Sequence, residues 1–197
     1  MFNIKLSIKI IIFGFIFTFF SSFGQSFFIG LFNSSIRDDL NISHGHFGTI
    51  YALATLISSF TLIWIGKKID DFKLIYFSLF VILLLFLSSI FFSFINSIYL
   101  LFFGIFLLRL SGQGLMSHTA TTSISRYFDV NRGKALSVTW LGLSAAEFIM
   151  PITIVFFLSI YSWRNIWLFI ALLIILFLPL ISVLTVKKIT LSSRERK

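Results

Sequence analysis

Six long apolar runs alternate with short polar turns along this chain: Ile10–Phe32, Phe47–Ile65, Leu74–Phe94, Ile98–Ser117, Ala135–Ser159 and Trp163–Val186. Each has the roughly 20 residues that a helix needs to cross a bilayer, well beyond the roughly 9–11 of a barrel strand. Nearly every helical face within them is apolar, so periodicity does not separate a protein-facing side from a lipid-facing one. The pattern predicts an all-α membrane protein of six transmembrane helices. The first run also has the outline of a secretory signal, with Lys5 and Lys9 ahead of it and a small-x-small step at Ser22-Phe23-Gly24. Its apolar character continues through Phe27, Phe28, Ile29 and Leu31, past the point where a cleavage core ends, so it reads as a retained first helix.

The basic residues fix an orientation. One set of connecting segments holds thirteen Lys and Arg, including Lys67, Lys68, Lys73, Arg126, Arg132, Lys134 and Lys187; the opposite set holds only Arg37 and Arg164. Positive charge stays on the cytoplasmic side, which puts both termini there and makes the chain a multi-pass protein of the cell membrane, in a bacterium the inner membrane. Composition agrees: 58% hydrophobic and 12% charged residues with 28 Phe leave too little polar surface for a soluble fold. The net charge of +9 is placed at the ends of apolar runs and does not point to nucleic acid. The absence of Cys removes disulfides and thiolate metal sites, and no cofactor is called for.

Sliding the chain along itself by 88 residues lays Gly24-Gln25 on Gly112-Gln113, Ser35-Ile36 on Ser123-Ile124 and Gly45 on Gly133. The shift superposes the first run on the fourth. With three helices per copy, an odd number, the copies enter the membrane in opposite directions, a 3+3 inverted repeat. Few polar matches carry this, and chance agreement is the alternative.

Polar residues inside the runs are the candidates for function, because an unpartnered polar group in hydrocarbon is costly. Ser21 to Ser26 suit either a cavity wall or close helix packing, and Gln25 is the best candidate among them. Small residues along helix 2, from Thr49 to Ser59, suit packing against another helix, while helix 3 reads as lipid-facing support. Helix 4 carries Arg109, Ser111, Gln113 and His118; helix 5 carries Trp140, Gly142, Ser144, Glu147 and Pro151. At 1.5 Å per residue Arg109 lies about 16 Å from the outer end of its helix and Glu147 about 12 Å from the same surface. Matched depth on antiparallel neighbours predicts an Arg109–Glu147 pair. Two readings stay open: a structural ion pair, or an anion clamp at Arg109 with Glu147 as proton acceptor. His44 and His46 near Asp38 and Asp39 form a solvated outer loop rather than a metal site, with Ser43 as the N-cap of helix 2.

Three stretches carry a family resemblance. Arg109-x-x-Gly112-x-Gly114 with Arg126-Tyr-Phe-x-x-x-Arg132-Gly-x-Ala135 resembles helix 4 and the following loop of the major facilitator superfamily of secondary transporters. Gly66-x-x-x-Asp70 resembles its loop between helices 2 and 3, although Asp71 and Lys73 stand where the family has Arg and Gly. Trp163-Arg164 resembles its outer aromatic-Arg turn, and helix 5 lacks the Gly-Pro-x-x-Gly-Gly run of drug–proton antiporters. The resemblance implies one half of a twelve-helix carrier, secondary transport of a small solute by alternating access, and no enzymatic step. The cadence is nearest the monocarboxylate and organic-anion branches. It further implies substrate or coupling roles for Arg109, Glu147, Gln113, Gln25 and Ser111, and a cytoplasmic gate of Gly66, Asp70, Arg126 and Arg132, with Asp70 and Arg126 paired. The expected division is a six-helix bundle over 1–186 and a basic tail over 187–197. Expected partners are the solute, a coupling ion such as H+, the bilayer, and a C-terminal half or a second copy, truncation being the favoured account of the missing half. The alternative is a non-transporting membrane sensor or assembly subunit; the nucleophile–base setting of an intramembrane hydrolase and the Arg-repeat helix of a voltage-gated channel are both missing from the sequence.

Overall fold

The computed structural model describes residues 4–187, so the basic tail expected beyond Lys187 lies outside the described residues. No strand occurs among the described residues, and six helices are long and apolar enough to cross a membrane. The helices of spans 2, 4 and 5 are longer than their apolar runs. α1 (Ile4–Ser21) tightens into a 3-10 turn at Ser22–Gly24 and breaks at Gln25, whose angles are extended (φ −80°, ψ 155°). The chain resumes as α2 (Ser26–Leu31) and α3 (Asn33–Leu40), so the single helix expected over Ile10–Phe32 is α1, the 3-10 turn and α2, with α3 following it. α4 (His44–Lys67) starts at a Ser43 cap that accepts from the His46 backbone N–H at 3.2 Å. After a 3-10 turn at Lys68–Asp70 come α5 (Leu74–Ser93) and α6 (Ile98–Leu108). α6 widens into a π-helical stretch at Arg109–Met116 and continues as α7 (Ser117–Tyr127), one span of 30 residues. α8 (Arg132–Leu158) and α9 (Trp163–Val186) complete the bundle.

The internal repeat governs the architecture. The 88-residue shift carries His44, the first residue of α4, onto Arg132, the first of α8, and brings the start of α5 within one residue of the start of α9. The repeat mates Gly24 and Gly112 are in backbone contact: a Cβ built on Gly24 would lie 2.8 Å from the Gly112 Cα, and one built on Gly112 would lie 2.8 Å from the Gly24 Cα. A residue on a pseudo-two-fold axis meets its own mate in this way, so spans 1 and 4 cross at the axis. Both helices are irregular there, the 3-10 break in one and the π-helical stretch in the other. Close approach of two backbones requires glycine, and irregular backbone inside a membrane persists only where protein surrounds it.

Packing follows the same symmetry. α5 lies against α9, its mate, and against α6. It buries Ser78, Ser88 and Ser89 on that side and leaves Phe80, Leu83 and Leu87 exposed, so it is half core and half lipid-facing. α1 packs on α8 through Gly14, Thr18, Thr139 and Gly142, and the Thr18 hydroxyl donates across the contact to the Thr139 carbonyl at 2.5 Å. On α8 the buried stripe is Ala135, Thr139, Gly142 and Ala146, small residues at helical spacing. α4 and α8 are the least buried spans and stand on opposite flanks of the crossing.

Candidate functional site

The guanidinium of Arg109 sits where the first helix is broken. Interrupting the helical ladder at Gln25 frees backbone polar groups, and Arg109 Nη1 donates to the Gly24 carbonyl at 3.1 Å and to Ser26 Oγ at 3.3 Å. Tyr51, on α4, donates to the same Ser26 Oγ at 2.9 Å, and its ring centroid lies 5.3 Å from Arg109 Cζ. Three spans therefore meet on one charge. Arg109 is only 6% exposed, yet its Nε–H has no acceptor, and among the described residues no carboxylate pairs with the group. Beside it opens a cavity of about 100 Å³ lined by Ser58, Ser59, Leu62, Arg109, Gln113 and Gly114. Gln113 Oε1 is also buried without a partner. The site thus holds an unneutralised cation, one idle donor and one idle acceptor.

The expected Arg109–Glu147 pair does not form. Glu147 is exposed on α8 and enters no ion pair among the described residues. Matched depth fixes only the position along each helix. Around α8, buried Thr139 and Gly142 meet α1, and Glu147 is turned about 100° from Ala146, which shares their face. Ser111 also points elsewhere: it is fully buried, donates to the Leu107 carbonyl at 2.7 Å and lies 3.3 Å from Ser88 Oγ on α5. Gln25 is half-buried at the break and does not line the cavity.

At the C-terminal end of α4 a larger cavity, about 250 Å³, is lined by residues including Gly66, Lys67, Asp70, His118 and Arg126. Asp70 and Arg126 form an ion pair across it, and His118 Nε2 lies 3.0 Å from the Gly66 carbonyl. A Cβ on Gly66 would come within 3.3 Å of that imidazole, so the loop glycine lets α7 approach. Arg132 is exposed at the start of α8 and joins no ion pair among the described residues. The opposite surface has a pair of its own, Arg164 with Asp39. Arg164 Nη2 also donates to the Ile95 carbonyl at 2.6 Å, and its Cζ lies 4.3 Å from the Trp163 ring centroid. Sequence reasoning missed Tyr51, Ser26 and Ser59 at the site and the Asp39–Arg164 pair. Residues 51 and 109 meet only through the fold, and no spacing rule links them.

Known proteins bear on this geometry at one point. The model of the Major Facilitator Superfamily matches residues 14–197, nearly the whole chain. The chain belongs to the major facilitator superfamily. As a superfamily member it is a multi-pass membrane protein with membrane transporter activity. Its six spans in two inverted copies fit half of the superfamily fold. Among curated proteins, none matches the chain.

Proposed function

We propose that this superfamily member carries a small organic anion across the membrane by alternating access, with Arg109 as the anion-binding group. One observation carries the reading: a guanidinium 6% exposed, facing a cavity, with an idle Nε–H and no protein carboxylate to balance it. A charge at that depth is costly unless paired, and an anionic solute supplies the missing partner. Nη1 is occupied by Gly24 and Ser26, and the remaining guanidinium N–H groups are the donors a carboxylate would take.

Glu147 belongs to the opposite wall of the same path. The 88-residue shift carries it onto Ser59, which lines the cavity beside Arg109 on α4. The mated position on α8 presents an exposed carboxylate to the other flank of the crossing, where it takes and releases the coupling proton. Superfamily carriers bind solute between two six-helix units, and the exposed faces of α4 and α8 are the surfaces on which a second unit closes the path. The Asp70–Arg126 pair, with Gly66 and Arg132 nearby, forms the inner gate. The thirteen-to-two split of basic residues sets that side, and both termini, in the cytoplasm, at the inner membrane if the source is bacterial. The reading assigns the chain no bond-making step.

The test is uptake of labelled small carboxylates by cells producing the protein, with a matched inward proton flux. Arg109→Gln lowers uptake at least about tenfold, the loss of one charge-assisted contact, and Glu147→Gln removes the proton flux. Uptake that survives Arg109→Gln contradicts the reading.

A further inference from the structure

We infer that Leu62 seals the Arg109 cavity from the cavity of the Asp70–Arg126 pair: spans 2 and 4 enclose one polar furrow, and this single side chain divides it. The inference rests on the anion-binding reading only in calling the Arg109 cavity a solute site. The two cavities, of about 100 and about 250 Å³, have Leu62 as their common lining residue. Both are walled by the same two spans and follow one another along them. From the first wall come Ser58, Leu62 and Gly66 on α4 and Asp70 in the turn after it, each four residues on and so in one line. From span 4 come Arg109, Gln113, His118, Thr122 and Arg126. Their steps are also of four residues, except one of five between Gln113 and His118, where the π-helical stretch closes its turns on the fifth residue. The widened turn keeps the polar line of span 4 opposite that of α4.

Leu62 is the only apolar side chain in either line, and Gly114 makes its seat. A Cβ built on Gly114 would stand 3.3 and 3.4 Å from the two Leu62 methyl carbons, so the bare backbone of the π-helical stretch is what the leucine lies on. A branched apolar group across a polar passage holds back a charged solute and its water, because the constriction strips hydration that nothing there replaces. α4 is the least buried of the six spans. A shift of α4 away from span 4 lifts Leu62 off Gly114 and joins the two cavities.

The chain has no cysteine, so one introduced thiol reports alone. Ser59→Cys, in the Arg109 cavity, is treated with a charged, membrane-impermeant maleimide in sealed vesicles from cells producing the full chain. The reagent is placed on the side from which Lys67→Cys is labelled, and each rate is divided by that of the same thiol in the denatured chain. With Leu62 in place Ser59→Cys reacts at least about tenfold more slowly than Lys67→Cys, and Leu62→Ala speeds it at least about tenfold, a barrier lower by about 1.4 kcal/mol. Leu62→Met, an apolar plug of similar volume, keeps the slow rate within about twofold. Leu56→Ala, on the exposed face of α4, leaves the rate unchanged. Equal rates with and without Leu62→Ala overturn the inference. Fast labelling of Ser59→Cys with Leu62 in place overturns it too, as does an acceleration by Leu56→Ala as large as by Leu62→Ala. The readout needs no ligand, so a failure of carboxylates to bind at Arg109 strikes the anion reading and leaves the seal standing.

Discussion

The first three spans and the last three are the same scaffold carrying different chemistry. Helix starts, the Gly24–Gly112 crossing and the pairing of α5 with α9 all follow the 88-residue shift. The charges do not. Ser21 in the first copy stands where Arg109 stands in the second, and Ser59 where Glu147 stands. Even the ion pairs are traded: at one end of the bundle an Asp of the 2–3 turn meets an Arg at the end of span 4; at the other an Arg at the 5–6 turn meets an Asp at the end of the span-1 extension. The symmetric positions hold the bundle together, and the departures from symmetry include Arg109 and Glu147, the residues of the proposed solute path.

The comparison breaks most visibly at the crossing. A Cβ on Gly24 would lie 2.3 Å from the Leu108 carbonyl, and one on Gly112 2.6 Å from the Gly24 backbone N. Gly24→Ala or Gly112→Ala therefore costs at least about 3 kcal/mol, because the obstruction is backbone and cannot step aside. The readout is the yield of monodisperse protein and its melting temperature. Gly30→Ala, whose added carbon meets nothing within 4 Å, leaves both unchanged or slightly improved. If Gly24→Ala melts like the unaltered protein, the axis is not where the two copies touch.

The outer brace comes next. Arg164 holds Asp39, the Ile95 carbonyl and the Trp163 ring at once. Arg164→Gln lowers stability by about 1–2 kcal/mol, a fall of roughly 2–8 °C in Tm. The Asp70–Arg126 pair is worth less to folding: Arg126→Gln costs under about 1 kcal/mol, since this half-exposed ion pair lacks the carbonyl and ring contacts that Arg164 adds to its own. Its effect is on transport rate, and the exchange Asp70→Arg with Arg126→Asp restores that rate in part. Reversed ranks in thermal melts would mean that the inner turn, not the outer one, braces the bundle.

Much of this was legible beforehand. Bilayer thickness sets helix length, so six spans stood out, and the 2–3 turn and helix-4 motifs pointed at Asp70 and Arg126. The Arg109–Glu147 pair failed because depth is one coordinate of a helix and azimuth is the other, and uniformly apolar faces hide azimuth. The small residues Ala135, Thr139, Gly142 and Ala146 did carry that signal, since they mark the packed side of α8 and leave Glu147 off it. The break at Gln25 was half visible in Ser21-Ser22-Phe23-Gly24. The contacts of Arg109 with Ser26 and Tyr51 join residues 83 and 58 positions apart and are products of the fold alone.

On the proposed reading Arg109 has two jobs that Lys separates: an ammonium can still serve the Gly24 carbonyl but has no planar fork for a carboxylate. The deciding measurement is the melting temperature of the unaltered chain and of Arg109→Lys, each with and without a small carboxylate at 100 times its Kd for the unaltered chain. Binding at that concentration adds about 2.7 kcal/mol, roughly 5–10 °C for a chain of this size. The account predicts that Arg109→Lys melts within a few degrees of the unaltered chain and loses most of the ligand-induced rise. A variant that melts far lower yet keeps the full rise would make Arg109 a structural strut and contradict the account.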